Sequence, residues 1–357
     1  MTGSSRYAEQ QRAQMTLSAH NKKMHGERPY LRVGILGCSD IARRRFLPAI
    51  QKARNARLSG VASRDPEKAK RFCALTDCET TDYETLLASK KVDLIYIPLP
   101  NHLHEVWVMR ALEQGKHVIC EKPMALSVGA IERMTQSAAQ KGLLLYENIM
   151  YLHHPLHQAV RNMIAAGTIG RVTGLRTSFG FMHSATDGFR MRTDQGGGAF
   201  FDQARYPLSA ALFFLAGSKY RFKGEAFFRN GLNVAMNASA LTDCNETFSF
   251  SIGFEQPYEC WYEIVGEKGK LKVDRAYTTP ADMVSVVQVS TDRGETAVTV
   301  PAADHFVLMI ERVCDVILQG EGYHELYGAA RRLALLGDQV WESCEGIQLA
   351  PHEKVCP

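Results

Sequence analysis

A turn near the start of the chain has the residue types and spacing that can bind a phosphate group. The run from Gly37 to Ala42, GCSDIA, follows an apolar segment and precedes a helical pattern. A helix that begins at such a turn directs its free N–H groups at an anion. The spacing matches the dinucleotide fingerprint, with Ser39 where a second glycine is usual. The turn therefore predicts a pyrophosphate site, although a plain strand–turn–helix unit without a ligand has the same pattern.

The residues that end the second predicted strand indicate which dinucleotide would bind. In NAD-binding proteins an acidic residue about 20 positions beyond the fingerprint binds the ribose 2′-hydroxyl. Here the position reads Ser63-Arg64. A guanidinium offers planar, multidentate donors that suit a 2′-phosphate, so we expect NADP(H). The alternative is a solvated arginine just before a helix that starts at Asp65-Pro66.

Four further polar residues follow two later strands. Asn101 and His104 come after the strand Val92 to Ile97, and Glu121 and Lys122 come after His117 to Cys120. Ligands of open α/β sheets bind at the carboxyl edge of the strands. We therefore expect these side chains to converge on the Gly37 turn.

The chain before Tyr151 alternates between strand and helix patterns. The predicted strands are Leu31 to Ile35, Leu58 to Ser63, Val92 to Ile97, His117 to Cys120 and Leu143 to Tyr146. The predicted helices are Asp40 to Ile50, Tyr83 to Ser89, a third ending at Gln114, and Ser127 to Lys141. The strand from Val92 is apolar on both faces, as a central parallel strand is. We expect a doubly wound Rossmann domain over residues 30–150.

The second half has a different pattern. Alternation at Leu232 to Ala240 and Phe248 to Phe254 is typical of antiparallel strands with one buried face. Further strands are expected at Tyr262 to Val265, Lys270 to Val273 and Val284 to Val289, followed by helices His305 to Leu318 and Glu325 to Trp341. Residues 151–357 are thus expected to form an α+β domain with a large open mixed or antiparallel sheet. Residues 1–29 lack periodicity, and we expect a disordered extension.

Composition excludes several classes of protein. The chain has 357 residues, of which 45% are hydrophobic, and a net charge of +4, which is typical of a globular protein with two domains. No dense basic block carries interleaved aromatics, so nucleic acid is excluded as a partner. The run from Arg43 to Arg45 is interpreted as a solvated helix face. No apolar run is long enough to span a membrane, and the first 29 residues lack a signal-peptide core, so we expect a cytoplasmic protein.

The cysteine and histidine patterns argue against disulfides and metals. Nine cysteines are scattered through the predicted elements, so we expect reduced, buried thiols. Cys73 and Cys78 are too isolated for a zinc site. His153, His154 and His157 have no carboxylate at ligand spacing, so no metal is expected.

Four motifs occur in order along the chain. They are the Gly37 turn, Pro100-Asn101-x-x-His104, Glu121-Lys122-Pro123, and Gly196-Gly-Gly-Ala-Phe-Phe-Asp202-x-x-x-Tyr206-Pro. Together they resemble the glucose–fructose oxidoreductase/inositol dehydrogenase (Gfo/Idh/MocA) family over roughly residues 31–350. The resemblance implies a Rossmann domain, a C-terminal domain with an open sheet, and a nicotinamide cofactor between them.

Within that family, three features are most similar to the NADPH-dependent C-3 ketoreductases of nucleotide-linked deoxysugar pathways. They are the segments GCSDIARRRFLPAI and ENIMYLHHPLH, and Tyr206 in place of the more usual histidine. The implied reaction is reduction of the C-3 ketone of a nucleotide-linked, dTDP-type 3-keto-deoxyhexose. The resemblance also implies a homodimer or homotetramer assembled through the C-terminal sheet.

The resemblance carries roles onto individual residues. The implied catalytic residues are Lys122 at the hydride-transfer site, Tyr206 as general acid and Asp202 as a supporting acid. The expected cofactor contacts are Gly37, Cys38, Ser39, Asp40, Ile41, Ser63, Arg64, Leu99, Asn101, His104, Glu121, Lys122 and Asn148. The expected substrate contacts are Lys122, His153, Arg190, Asp202 and Tyr206, with a solvated loop arginine as the alternative for Arg190. Gln203-Ala204-Arg205 departs from the small, glycine-containing stretch that is commoner in the family.

The proposed roles agree with the chemistry of carbonyl reduction. Hydride addition places negative charge on the ketone oxygen, so the site needs a proton donor and a fixed cation. We expect the Lys122 ammonium to lower the pKa of Tyr206 and Glu121 to orient Lys122. Two other functions remain open: a sugar or dihydrodiol dehydrogenase acting on an unlinked substrate, and a non-catalytic NADP-sensing regulator.

Overall fold

The computed structural model describes residues 29–74, 76, 78–183 and 188–350. Most of the expected N-terminal extension, residues 1–28, lies outside this part of the chain. None of the helices within the described ranges is long and apolar enough to cross a bilayer.

The first sheet of the described chain consists of six parallel strands. They are β1 Leu31–Leu36, β2 Ala56–Ala62, β3 Glu79–Thr81, β4 Leu94–Ile97, β5 His117–Cys120 and β6 Leu145–Glu147. The spatial order is β3-β2-β1-β4-β5-β6, which reverses between β1 and β4. A crevice at the carboxyl ends of these two strands is where such sheets bind ligands. The doubly wound fold predicted from the sequence is confirmed.

The helices of this half cover both faces of the sheet. They are Leu47–Lys52, Pro66–Cys73, Tyr83–Ala88, His104–Glu113 and Val128–Lys141. The first one is preceded by a π-helical turn, Ala42–Phe46, in which the N–H of Leu47 donates to the carbonyl of Ala42. Pro48 has no N–H to donate, so the carbonyl four residues before it lacks its usual partner. The π turn is a local response to that loss.

The second sheet of the described chain has nine strands. They are β7 Val172–Gly180, β8 Tyr220–Arg229, β9 Leu232–Thr242, β10 Thr247–Gly253, β11 Glu259–Gly266, β12 Gly269–Asp274, β13 Ser285–Thr291, β14 Gly294–Val300 and β15 Cys344–Gln348. Their order is β14-β13-β12-β11-β7-β10-β9-β8-β15. β7 pairs with β10, and β8 with β15, in parallel, so the sheet is mixed. Along β10, Phe248, Phe250 and Ile252 are buried while Ser249 and Ser251 are partly open, as the alternation predicted.

The helices of the second half lie against one face of this sheet and against the first domain. They are Pro155–Ala165, Ala199–Gln203, Arg205–Phe214, His305–Gln319 and Tyr323–Glu342. From the last of these, Tyr327 and Ala330 are buried among apolar residues of the first domain. Arg54 of the first domain pairs with Glu311 and, at 2.5 Å, with Asp315. The chain therefore returns to the Rossmann domain after β14 and then adds β15 to the edge of the second sheet.

The expectation of reduced thiols is wrong for two cysteines. Cys73, at the end of the helix Pro66–Cys73, and Cys78, just before β3, form a disulfide with a Cα–Cα distance of 5.5 Å. The chain between helix and strand is short enough to bring the two Cα atoms within bridging distance. The other cysteines of the described residues are free.

Candidate active site

A cavity of about 940 Å³ lies where the carboxyl edge of the first sheet faces the second domain. The structure brings most of the predicted site residues into its wall. Of the residues expected to contact cofactor or substrate, the lining includes Gly37, Cys38, Ser39, Asp40, Ile41, Ser63, Arg64, Leu99, Asn101, Glu121, Lys122, Arg190, Asp202 and Tyr206. Three predicted residues, His104, Asn148 and His153, do not line it.

The Gly37 turn has a backbone shape that only glycine adopts easily. Its φ is +116°, and a Cβ there would lie 2.6 Å from Cδ2 of Leu99. Ser39 uses its hydroxyl within the turn, because Oγ accepts from the N–H of Ala42 at 3.2 Å. The turn thus leaves space beside the free backbone N–H groups at the start of a helical segment, where a pyrophosphate can bind.

The end of β2 supplies positive charge to the same cavity. Arg64 and Lys68 both line it, and Arg44 contributes from the π turn. The hydroxyl of Ser63 accepts from the N–H of Asp65 at 3.1 Å, which fixes the loop that carries Arg64. Arg44 was interpreted as part of a solvated face, and it is exposed and paired with Asp40 at 3.2 Å. Its position at the cavity wall could be found only from the folded structure.

At the centre of the cavity, one carboxylate holds two cations. Lys122 lies directly after β5, and its Nζ is 3.2 Å from Oδ1 of Asp202. Nε of Arg190 lies 3.0 Å from the same oxygen, and Nε2 of His183 lies 3.6 Å from Oδ2. Burial by itself would raise the pKa of Asp202, but the charges of Lys122 and Arg190 outweigh it and hold that pKa well below its ordinary value. Asp202 is therefore an anion at neutral pH.

Tyr206 lies beside this cluster, and its pKa is shifted in the direction opposite to our expectation. Lys122 Nζ is 5.0 Å from the centre of its ring. Burial, together with the negative charges of Asp202 and Glu121, raises the pKa of Tyr206 well above its ordinary value. Asp202 offsets the Lys122 charge that was expected to favour the phenolate. Tyr206 is accordingly a protonated phenol at neutral pH.

The expectation that Glu121 orients the lysine ammonium is not supported by the contacts. Oε1 of Glu121 accepts from the hydroxyl of Tyr96 at 2.5 Å and from Nδ2 of Asn148 at 2.7 Å. The ammonium of Lys122 instead donates to the side chain and main chain of Asp202. Asn148 is fully buried, so it acts by holding Glu121 at the cavity wall.

His104 and His153 also lie away from the cavity. His104 is fully buried between the carbonyls of Leu99 and Pro123, each 2.8 Å from a ring nitrogen. It joins the two loops that carry Leu99 and Lys122. His153 contacts the Tyr146 hydroxyl at 2.7 Å and lines a separate cavity. Burial lowers the pKa of His153 to about 4.

The cavity also contains residues that the sequence analysis missed. They come from the second domain: Phe179, Phe181, His183, Tyr258, Arg275, Thr278 and His305. Phe179 lies on β7. This strand has no clear alternation of apolar and polar residues in the sequence, so it was not predicted. Arg275 and Thr278 follow β12, which was predicted from the sequence. The polar loop after this strand is the feature from which these two cavity residues could have been predicted.

Comparison with known proteins agrees with this geometry. Residues 31–149 match the family model of GFO/IDH/MocA oxidoreductases with an NAD-binding Rossmann fold, and residues 157–272 match the GFO/IDH/MocA C-terminal domain. The chain is 36% identical to dTDP-3,4-didehydro-2,6-dideoxy-alpha-D-glucose 3-reductase of Actinomadura kijaniata, over 87% of this chain and 94% of that protein. It is 35% identical to the enzyme of the same name from Saccharopolyspora spinosa, over 77% and 83% of the two chains.

A solved structure gives the same assignment. It is a 3-ketoreductase from Actinomadura kijaniata in complex with NADP and TDP-benzene, with a TM-score of 0.87, 35% identity, and coverage of 90% of this chain and 100% of that one. The resemblance inferred from the four motifs is thus confirmed. This chain belongs to the GFO/IDH/MocA oxidoreductase family.

Proposed function

We propose that this protein uses NADPH to reduce the C-3 ketone of a nucleotide-linked 3-keto-deoxyhexose, with dTDP as the nucleotide. The observation that carries the proposal is that Lys122 and Tyr206 lie in one cavity with the Gly37 turn. Relatives with this reductase name cover most of the chain, and a similar 3-ketoreductase was solved with NADP and TDP-benzene.

The residues present fit a dinucleotide phosphate. The Gly37 turn suits the pyrophosphate, and Arg64 with Lys68 suits a 2′-phosphate at the end of β2. Asn101 donates from Nδ2 to the carbonyl of Gly196 at 2.8 Å, which joins the two domains at the cavity wall. A reduced nicotinamide cofactor supplies the hydride when it is bound.

The chain's own residues handle the charge and the proton. Lys122 and Arg190 place two cationic donors beside Tyr206, both paired with Asp202, and can donate to the alkoxide that forms when a ketone is reduced there. Tyr206 holds a proton at its hydroxyl at neutral pH. An alkoxide is a stronger base than a phenolate, so the developing oxygen can take this proton even though the pKa of Tyr206 is raised. Asp202 fixes the position of the lysine.

The test measures NADPH oxidation with a dTDP-linked 3-keto-deoxyhexose and with the same free ketosugar, and NADP⁺ reduction with free sugars and dihydrodiols. A dTDP-linked 3-keto-deoxyhexose should be reduced with a much higher kcat/KM than the same free ketosugar, and Lys122→Met should lower kcat by roughly 10²- to 10⁴-fold. A preference for free sugars or dihydrodiols would favour the dehydrogenase alternative. Tight NADPH binding with no turnover of any ketosugar would favour the regulator.

Cellular location and assembly belong to the same proposal. We place the enzyme in the cytoplasm, because NADPH and nucleotide-linked sugars are both supplied there. We further propose a homodimer or homotetramer that forms through the open face of the nine-stranded sheet. Fractionation of cells that express the protein tests its location.

A further inference from the structure

An exposed arginine stacks on an exposed tyrosine at the mouth of the catalytic cavity, on the side of the second domain. The guanidinium carbon of Arg275 lies 4.6 Å from the centre of the Tyr258 ring, a cation–π distance. Its NH1 group donates to the Tyr258 hydroxyl at 3.4 Å. That hydroxyl also contacts Oγ1 of Thr278 at 2.6 Å. All three residues line the cavity.

The backbone at Arg275 directs its side chain toward the cavity. Its φ is +54°, in the left-handed region that a non-glycine residue adopts at a cost in free energy. The hydroxyl of Thr279 donates to the Arg275 carbonyl at 2.8 Å and fixes this turn. Two residues further on, Tyr277 is fully buried, with its ring centre 5.4 Å from that of Tyr206. The short loop after β12 therefore packs against Tyr206 through Tyr277 and also places Arg275 at the cavity wall.

The charge of Arg275 has no anionic counterpart in the part of the chain that the structure describes. No carboxylate there forms an ion pair with its guanidinium, whereas Arg190 is paired with Asp202 and Arg44 with Asp40. Arg190 was expected to contact the substrate, and its Nε is paired with Asp202 at 3.0 Å. Among the described residues, Arg275 therefore offers a guanidinium without a carboxylate partner to an anion in this cavity.

We propose that Arg275 binds the diphosphate of the nucleotide-linked substrate and that Tyr258 holds its guanidinium in position. This inference rests on the proposed function, since it assigns the substrate's nucleotide to a place in the cavity. Arg64 and Lys68 follow β2 in the first domain, whereas Arg275 follows β12 in the second, so different domains supply the cations assigned to the two sets of phosphates. A guanidinium can bind phosphate oxygens through two parallel hydrogen bonds, which an ammonium cannot do.

The test measures binding of thymidine diphosphate and of thymidine by calorimetry, with NADP⁺ present. The main variant is Arg275→Asn, because asparagine tolerates the left-handed backbone. Arg275→Lys keeps the positive charge but removes the planar pair of N–H donors. We expect the Kd of thymidine diphosphate to rise about 10- to 100-fold for Arg275→Asn and less for Arg275→Lys. The Kd of thymidine and that of NADP⁺ should not change.

Two further variants separate positioning from a general loss of charge. Tyr258→Phe keeps the ring under the guanidinium and should weaken diphosphate binding less than Tyr258→Ala. Arg293→Ala removes one exposed arginine from the turn between β13 and β14 and should have no effect.

The outcomes distinguish this inference from the proposed function. Unchanged binding of thymidine diphosphate by a folded Arg275→Asn protein, with normal turnover of the dTDP-linked ketosugar, would overturn the role of Arg275 alone. If the wild-type protein binds no thymidine diphosphate and reduces only free sugars, both the inference and the proposed function are wrong.

Discussion

The charge on Asp202 determines how the catalytic groups can act. It pairs with Lys122 and Arg190, and its charge adds to the effect of burial in raising the pKa of Tyr206. A buried carboxylate between two cations is stable as an anion only because both are present. The resulting centre has a protonated phenol and two cationic donors, held by Asp202, that can stabilise an alkoxide.

The first prediction concerns Tyr206 and Lys122. Tyr206→Phe and Lys122→Met should each lower kcat by roughly 10²- to 10⁴-fold, because each removes a group that acts mainly in the transition state. Steady-state kinetics with the preferred ketosugar measures this. NADP⁺ affinity should change little for Tyr206→Phe.

The double variant tests whether the two residues work as a unit. Its loss should be much smaller than the product of the single losses. Near-normal kcat for Tyr206→Phe would show that another group supplies the proton. Arg293→Ala serves as the matched surface control.

The second prediction concerns the choice of dinucleotide at the end of β2. Replacing Ser63 with Asp and Arg64 with Ala should shift the preference from NADPH toward NADH, because a carboxylate repels a 2′-phosphate and accepts from a 2′-hydroxyl. The ratio of kcat/KM values for the two cofactors measures the change. A wild-type enzyme that uses NADH at least as well as NADPH would contradict the assignment.

At the scale of elements, a buried ion pair joins the catalytic loop to the catalytic helix. Nε of Arg205, the residue before Tyr206, lies 3.2 Å from Oε1 of Glu147 on β6. The same oxygen accepts from the N–H of Met124, just beyond Lys122, at 3.1 Å. Arg205 occupies space left by Gly337, where a Cβ would lie 2.8 Å from NH1. The unusual Gln203-Ala204-Arg205 stretch thus contributes a clamp between the two domains.

The third prediction is that breaking this clamp strongly destabilises the protein. Arg205→Met should lower the free energy of unfolding by about 3–5 kcal/mol, because it leaves the Glu147 carboxylate buried and unpaired. Denaturant unfolding measures the loss. Adding Glu147→Gln should recover part of it.

An exposed ion pair provides the control for the clamp. Arg171 and Glu267 lie 2.9 Å apart on the surface, so Arg171→Met should cost less than about 1 kcal/mol. Equal losses for the two arginine variants would show that the buried pair has no special role.

At the scale of the whole molecule, one face of the nine-stranded sheet is left open. Ser249, Ser251 and Trp261 line a shallow depression on it, and Val286 on the neighbouring part of the face is 39% exposed. Apolar side chains on a broad open sheet are typical of a surface that binds another protein.

The fourth prediction is that this face joins copies of the chain. Light scattering at micromolar concentration should give the mass of a dimer or tetramer, and Trp261→Arg should reduce it. Val106→Arg, on a half-exposed position of the first domain, should leave the mass unchanged. A monomeric mass for the wild-type protein would contradict the prediction.

The fifth prediction is a loss of stability in acid that originates in buried histidines. Burial lowers the pKa of His157 and His305 to about 3, and that of His117 to about 4. Because the folded pKa lies below the unfolded value of about 6.5, the unfolded chain takes up protons that the folded chain does not. Stability should therefore be full above about pH 6.5 and fall as pH decreases toward the folded pKa values, by about 1.4 kcal/mol per pH unit for each histidine.

Unfolding curves between pH 7 and pH 4 test this. His157→Leu should make the dependence of stability on pH less steep, whereas exposed His102→Gln should not. If a folded His157→Leu protein shows the same dependence of stability on pH as the wild type, His157 does not contribute to the loss of stability in acid.

Much of the fold follows from local patterns. The strand His117–Cys120 and the helix Val128–Lys141 were predicted almost to the residue, since apolar periodicity and the Ser127 cap are local signals. Strands β3, β7, β8, β14 and β15 were missed. β14 is exposed along most of its length and has no buried face to impose alternation. β15 is short and pairs with a strand more than one hundred residues earlier.

The sequence by itself determined the doubly wound domain, the phosphate-binding turn and several residues that line the cavity from the first domain, such as Asn101, Glu121 and Lys122, because each follows a local strand pattern. Only the tertiary structure decided that Asp202 neutralises Lys122, that Tyr206 stays protonated and that Arg275 reaches the cavity. The sign of a pKa shift depends on burial and on every nearby charge. Those charges come from segments far apart in the chain, and folding alone brings them together.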